Sequence, residues 1–100
     1  MRVRTIVDGS LCLTPHPLPL QEEHRILIWR PLYRFERARV RAWTCYEHRL
    51  TSYELCEVGG LAFIRRTVVS RGRRVVSESD AWPHGEAQVV WAALLAGRAR

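Results

Sequence analysis

The apolar positions near the C-terminus repeat with a helical period. In EAQVVWAALLAG, Ala87, Val90, Trp91, Leu94 and Leu95 fall at i, i+3, i+4, i+7 and i+8 and so share one stripe. The spacing predicts a helix over 84–97, with Ser79 or Asp80 as cap and Pro83 in the first turn. Glu86 suits the positive end of the helix dipole, Gly97 supplies a left-handed stop, and Arg98 and Arg100 complement the negative end.

Before that helix the period shortens to two. SYELCEV-GG-LAFIRRTVV reads as two strands about Gly59-Gly60, and RRVVS adds a third beyond Arg71-Gly72. Two-residue loops fix the register: Val58 faces Leu61, Cys56 faces Phe63, Glu54 faces Arg65, Val69 faces Arg74, Thr67 faces Val76 and Arg65 faces Glu78. Arg65 then lies between two glutamates, each pair worth ~0.2–1 kcal/mol, and Arg66 lies on the opposite face near Tyr53 and Ser77.

The first half of the chain is less regular. Residues 1–13, VRTIV-DG-SLCL in their centre, predict a hairpin about Asp8-Gly9. Residues 14–24 carry Pro15, Pro17 and Pro19 and predict an extended connector strapped across a sheet edge, with a docking peptide as the rarer use of such a segment. RILIW, residues 25–29, predicts a short buried strand ended by Pro31. Residues 32–50 fit two patterns. As a helix, Leu32, Phe35, Ala38, Ala42, Tyr46 and Leu50 share a side that Arg39 and Arg49 interrupt. As a strand over 37–46, Arg37, Arg39 and Arg41 line one face, with Val40, Ala42 and Tyr46 on the other. The strand is the better fit. These elements predict a single α+β domain, a twisted antiparallel sheet of five or six strands formed by a 25–79 meander and packed against one C-terminal helix.

Composition narrows the class. The chain has 100 residues, 47% apolar, and a net charge of +6, enough for one modest core and too apolar for disorder. All 16 basic residues are arginine, a choice that codon usage in a GC-rich genome explains; the cationic excess remains, and favours DNA, RNA or an acidic protein surface as partner. An odd count of 3 cysteines, and an opening MRVRTIVDGS that has charge but no apolar segment of the signal-peptide kind, point to reduced thiols in a cytoplasm. No run approaches the ~18 apolar residues of a membrane span.

Catalytic chemistry finds no foothold. Cys45-x-x-His48, with Cys56 further on, has ligand-like residues, but no C-x-x-C pair accompanies it, and Cys12 would have to come from afar. On a strand Cys45 and His48 also project to opposite faces, so core and surface roles are expected and neither a metal nor a cofactor. Carboxylates flank Cys45 and Cys56 and disfavour a thiolate nucleophile. The acidic residues form no isolated pair, Gly59-Gly60 precedes a strand rather than a phosphate-binding helix, and His16, His24 and His84 sit among linker and turn residues.

Arginines and aromatics remain. Arg37, Arg39 and Arg41 on one strand, and Arg71, Arg73 and Arg74 at a hairpin tip, are the expected phosphate contacts; Trp43 is the expected stacking platform, with Trp29 and Tyr33 as further aromatic planes. The reading is a non-enzymatic regulatory protein that contacts nucleic acid. The alternative is a protein–protein adaptor or dimerisation module, its arginines facing an acidic partner or solvent. Both faces of the meander carry apolar residues and one helix covers only one, so a homodimer is also expected.

Overall fold

The structure, a computed structural model, describes residues 5–7, 10–12, 14–31 and 37–100. Strands β1 (Thr5–Val7) and β2 (Ser10–Cys12) pair antiparallel as a small sheet of their own, Val7 opposite Ser10, in the register a two-residue hairpin requires. The Asp8-Gly9 turn, Tyr33 and the rest of 32–36 lie outside the described residues.

The main sheet has five antiparallel strands: β3 (Arg39–Trp43), β4 (Thr51–Val58), β5 (Leu61–Ser70) and β6 (Arg73–Glu78) in sequence order, with β7 (Trp82–Pro83) paired to β5 beyond the end of β6. One helix, α1 (His84–Leu95), follows. The register of β4, β5 and β6 is the one their tight turns dictate, from Val58 opposite Leu61 through Arg65 opposite both Glu54 and Glu78. Arg71 adopts φ 52° at the second tip, a left-handed conformation that the twist of a two-residue hairpin demands and that a non-glycine residue adopts at a cost.

Residues opposite one another share a face, so the pairing sorts the sheet. Tyr53, Leu55, Ala62 and Ile64 face α1 and bury against Ala87, Val90, Trp91 and Leu94, with Leu27 and Ala99 in the same cluster. Arg66 borders this face, donating from Nε to Ser77 Oγ at 3.2 Å, its guanidinium 4.5 Å from the centre of the Trp29 ring. On the second face Arg65 holds Glu78 at 3.4 Å and Glu54 at 3.9 Å, and Glu78 is almost wholly buried. Cys56 and Phe63, also on this face, are 0% exposed. A single chain therefore covers these two side chains without a second copy, while Val40, Trp43 and Leu61 on the same face are exposed.

Two expectations about α1 and its flanks change. The residue at the N-cap is Pro83, with no side-chain cap. Ser79 is committed elsewhere: its Oγ accepts from Ile64 N at 2.9 Å and donates to Asp80 O at 2.9 Å, closing the end of β6 onto β5. RILIW forms no strand of the sheet. Arg25 N donates to Arg98 O (2.8 Å) and Leu27 N to Arg100 O (2.9 Å), while Arg30 and Glu78 exchange a backbone pair at 2.9 and 2.8 Å. Leu27 and Trp29 turn inward; Ile26 and Ile28 point out.

The proline segment straps the C-terminal end of α1. That end is a Schellman stop: Gly97 at φ 75° lets Arg98 N reach Ala93 O (2.7 Å) and Gly97 N reach Leu94 O (3.1 Å). Leu18 N then caps Leu95 O at 2.8 Å, Gln21 N takes Gly97 O at 2.7 Å, and Arg100 Nη1 reaches Leu94 O at 2.6 Å. Carbonyls that a helix end leaves unpaired thus find donors from a segment about 80 residues away in sequence.

Gly97 is consequently intolerant of a side chain, since a Cβ would overlap the Pro19 carbonyl oxygen and the backbone is left-handed. Gly97→Ala is expected to destabilise the fold by more than about 1 kcal/mol in urea or thermal unfolding. Gly60→Ala, at a turn position with nothing within 4 Å of a Cβ, should stay within about 0.5 kcal/mol of wild type.

Candidate nucleic-acid interface

The arginine-bearing strand does not present one uniform face. Arg39 pairs with Glu57 and Val40 with Cys56, but the register then shifts so that Ala42 meets Leu55 and Trp43 meets Glu54. Arg41 is the extra residue of this bulge. Val40 and Ala42, two apart, therefore point to opposite faces: Ala42 packs on the core and Val40 is exposed on the second face. Arg41 Nε lies 3.6 Å from Glu57 Oε2, Arg39 shares the helix-side face with the same carboxylate, and Arg37 is exposed just before the strand. Of the three, Arg37 is the one set apart from Glu57.

What the bulge does accomplish is to turn Trp43 onto the second face, half exposed at 50%. There it borders a groove of about 330 Å³ together with Tyr46, Arg49, Glu54, Thr67 and Arg74. Tyr46 is 65% exposed. Glu54, the groove's carboxylate, is tied to Arg65 at 3.9 Å. A second hollow of about 500 Å³ adjoins the first through Arg49 and Tyr53 and continues to His48 and Arg100. The two hollows together are lined by Arg49, Arg74 and Arg100, with the exposed rings of Trp43 and Tyr46 in the first.

The hairpin tip splits across the sheet. Arg74, opposite Val69, lies on the groove side; Arg73, opposite Ser70, lies on the helix side; Arg71 is exposed in the turn between them. None of Arg71, Arg73 or Arg74 makes an ion pair among the described residues. The groove thus unites Trp43 and Arg74 from the expected set with Tyr46 and Arg49, which the sequence pattern did not single out. Both belong to the β3–β4 connection, where neither strand nor helix period applies; the one available signal was an exposed-type aromatic and an arginine in a loop beside Trp43.

Thiols and histidines sort differently from their spacing. β3 ends at Trp43 and the chain bends over 46–48, so Cys45 and His48 come to the same side, with Sγ 3.3 Å from Nδ1. His16, which sequence placed among surface linker residues, joins them: its ring centre is 6.3 Å from that of His48 and its Nδ1 accepts from Arg49 Nε at 3.2 Å. Partial burial lowers the His16 pKa from its ordinary value, and the Arg49 and His48 charges lower it further. Cys56 is not part of this group. It sits within the sheet on the groove face, and burial pushes its thiol up to about 11, with Arg65 opposing and Glu54 and Glu78 adding. It is an inert core residue at neutral pH.

Among the described residues no helix is long and apolar enough to cross a membrane. Comparison of the chain with family models, curated proteins and solved structures finds no match.

The raised Cys56 pKa fixes a sign for alkaline unfolding. The unfolded thiol ionises near its ordinary value of 9.0 and the folded one near 11, so its contribution is whole below pH 9 and is lost as pH rises towards 11. Wild type is expected to lose about 2–3 kcal/mol more stability over that interval than Cys56→Ala, read from urea unfolding at several pH values.

Proposed function

We propose that the protein is a non-enzymatic nucleic-acid-binding protein that holds single-stranded DNA or RNA along the second face of its sheet. The observation that carries this reading is the exposed pair Trp43 and Tyr46 in a groove rimmed by Arg49 and Arg74, whose one carboxylate, Glu54, has Arg65 at 3.9 Å. Bases need flat apolar planes and phosphates need unpaired cations, and single strands offer both at once. A duplex presents stacked bases edge-on and would use the tip arginines alone. The adjoining hollow extends the depression past Arg49 towards Arg100, and Arg71 stands beyond Arg74 at the hairpin tip.

A protein–protein adaptor is the second reading, and it rests on Ile26 and Ile28. They are 79% and 61% exposed and project from the same side of an extended segment. Apolar docking of this kind responds weakly to salt, which separates it from phosphate contact.

Fluorescence anisotropy with labelled single-stranded and duplex oligonucleotides tests both. Binding should favour the single strand, and log K should fall with log salt by about 0.7 for each phosphate contacted. Replacing Arg71 and Arg74 with alanine should flatten that slope by up to about 1.4 units and leave the melting temperature unchanged, whereas Arg73→Ala, on the helix side, should leave the slope as it is. Trp43→Ala should weaken binding by about 1–3 kcal/mol with the slope preserved. Absence of binding at low salt, or a response indifferent to salt, rejects the proposal.

A further inference from the structure

We propose that His16, Cys45 and His48 form a binding site for one divalent transition-metal ion of the zinc type. The ligand atoms of these three side chains all lie within 4.8 Å of one another. A tetrahedral zinc ion with its usual bond lengths sets neighbouring sulfur and nitrogen ligands about 3.3–3.6 Å apart. Cys45 Sγ and His48 Nδ1 already stand at 3.3 Å. The third ligand closes by about an ångström, a shift that side-chain rotation in the half-buried His16 supplies.

The backbone holds the parts in place. Cys45 N donates to Pro15 O at 2.9 Å, which pins the residue before His16 against the residue that carries the thiol. Thr44, immediately before Cys45, is locked to β4 twice over: its N donates to Tyr53 O at 2.9 Å, and its Oγ1 accepts from Tyr53 N at 2.9 Å. Cys45 is 2% exposed, whereas both imidazoles reach the surface, so the pocket has a closed sulfur end and an open side. One thiolate and two imidazoles are the donor set that a borderline-soft ion prefers over calcium or magnesium. The open side leaves the fourth position to water or to a ligand from solution.

Arg49 is the built-in competitor. Its Nε donates to His16 Nδ1, and the guanidinium repels a cation at close range. Whichever His16 nitrogen binds the metal, that hydrogen bond must be given up, because a ring that accepts at Nδ1 and ligates at Nε2 would have no proton left. Arg49 is exposed and free to swing away, and the side to which it can turn is the groove beside Trp43. The metal site is a separate claim from nucleic-acid binding, and each can fail alone.

Cobalt(II) is the probe. The full chain, reduced and stripped by a chelator, is titrated with cobalt and then with zinc in competition. One equivalent of cobalt should produce a sulfur-to-cobalt charge-transfer band with intense tetrahedral d–d absorption, and one equivalent of zinc should erase both. Cys45→Ser should abolish the charge-transfer band. His16→Asn and His48→Asn should each weaken cobalt binding at least as much as loss of an outer hydrogen-bond partner does, about 10–100-fold. Both histidines are half-buried, so these two variants decide the matter even where Cys45→Ser does not fold, and unchanged unfolding of their metal-free forms shows that the loss is of a ligand. No charge-transfer band, a band that survives Cys45→Ser, histidine variants that bind as wild type does, or saturation at half an equivalent would each overturn the site.

Discussion

The structure depends on how the C-terminal end of α1 disposes of its unpaired carbonyls. A helix end buried without donors forfeits free energy at every orphan group, about 1–3 kcal/mol apiece. Here the left-handed Gly97 lets Ala93 and Leu94 find donors within the turn, Leu18 N supplies Leu95 O from the proline segment, and Arg100 adds a second bond to Leu94 O. The same donors fix the path of residues 14–21 over the helix, and Arg100 Nη2 adds a bond to Leu18 O at 2.6 Å. With that path set, Pro15 meets Cys45, and His16 arrives beside His48. One helix terminus therefore determines the architecture of a side-chain cluster on the other side of the strap.

A division of labour between the sheet faces follows from the pairing. The helix side holds the main apolar core, Trp91 and Ile64 at its centre. The second side is mixed: dry at Cys56 and Phe63, ionic at Arg65 and Glu78, and open with exposed rings at Trp43 and Tyr46. The buried Glu78 is costly to hold charged, and Arg65 offsets that cost while its other nitrogen faces Glu54 at the groove. Core electrostatics and groove chemistry thus share one guanidinium.

The turns made the meander legible. Gly59-Gly60 and Arg71-Gly72 specify loop length, loop length specifies register, and register placed Arg65 between its two glutamates and Arg66 beside Ser77 from letters alone. The helical stripe was equally plain, because Ala87, Val90, Trp91 and Leu94 are buried and its glycine stop is real. The bulge at Arg41 was not legible: no glycine or proline marks it, and strict alternation in RARVRAW argued for a regular strand. Ser79 looked like a cap by position but serves Ile64 instead, a tertiary preference that no local pattern records. The cluster was half legible. Cys45 and His48 are neighbours in sequence, but His16 reaches them only through the folded connector, and Cys56, the nearer thiol in sequence, is turned into the sheet.

The kink in β3 has one more effect. An outermost strand normally offers a straight row of amide and carbonyl groups on which a second molecule can extend the ladder. At Arg41 that row is out of step by one residue, so an incoming straight segment finds only a few bonds before it runs out of register. On the far margin β6 carries Arg73 and Arg74 side by side, and like charges there repel a second copy. Concentrated solutions should accordingly resist fibril growth, with dispersal secured by backbone irregularity on one rim and by charge on the other.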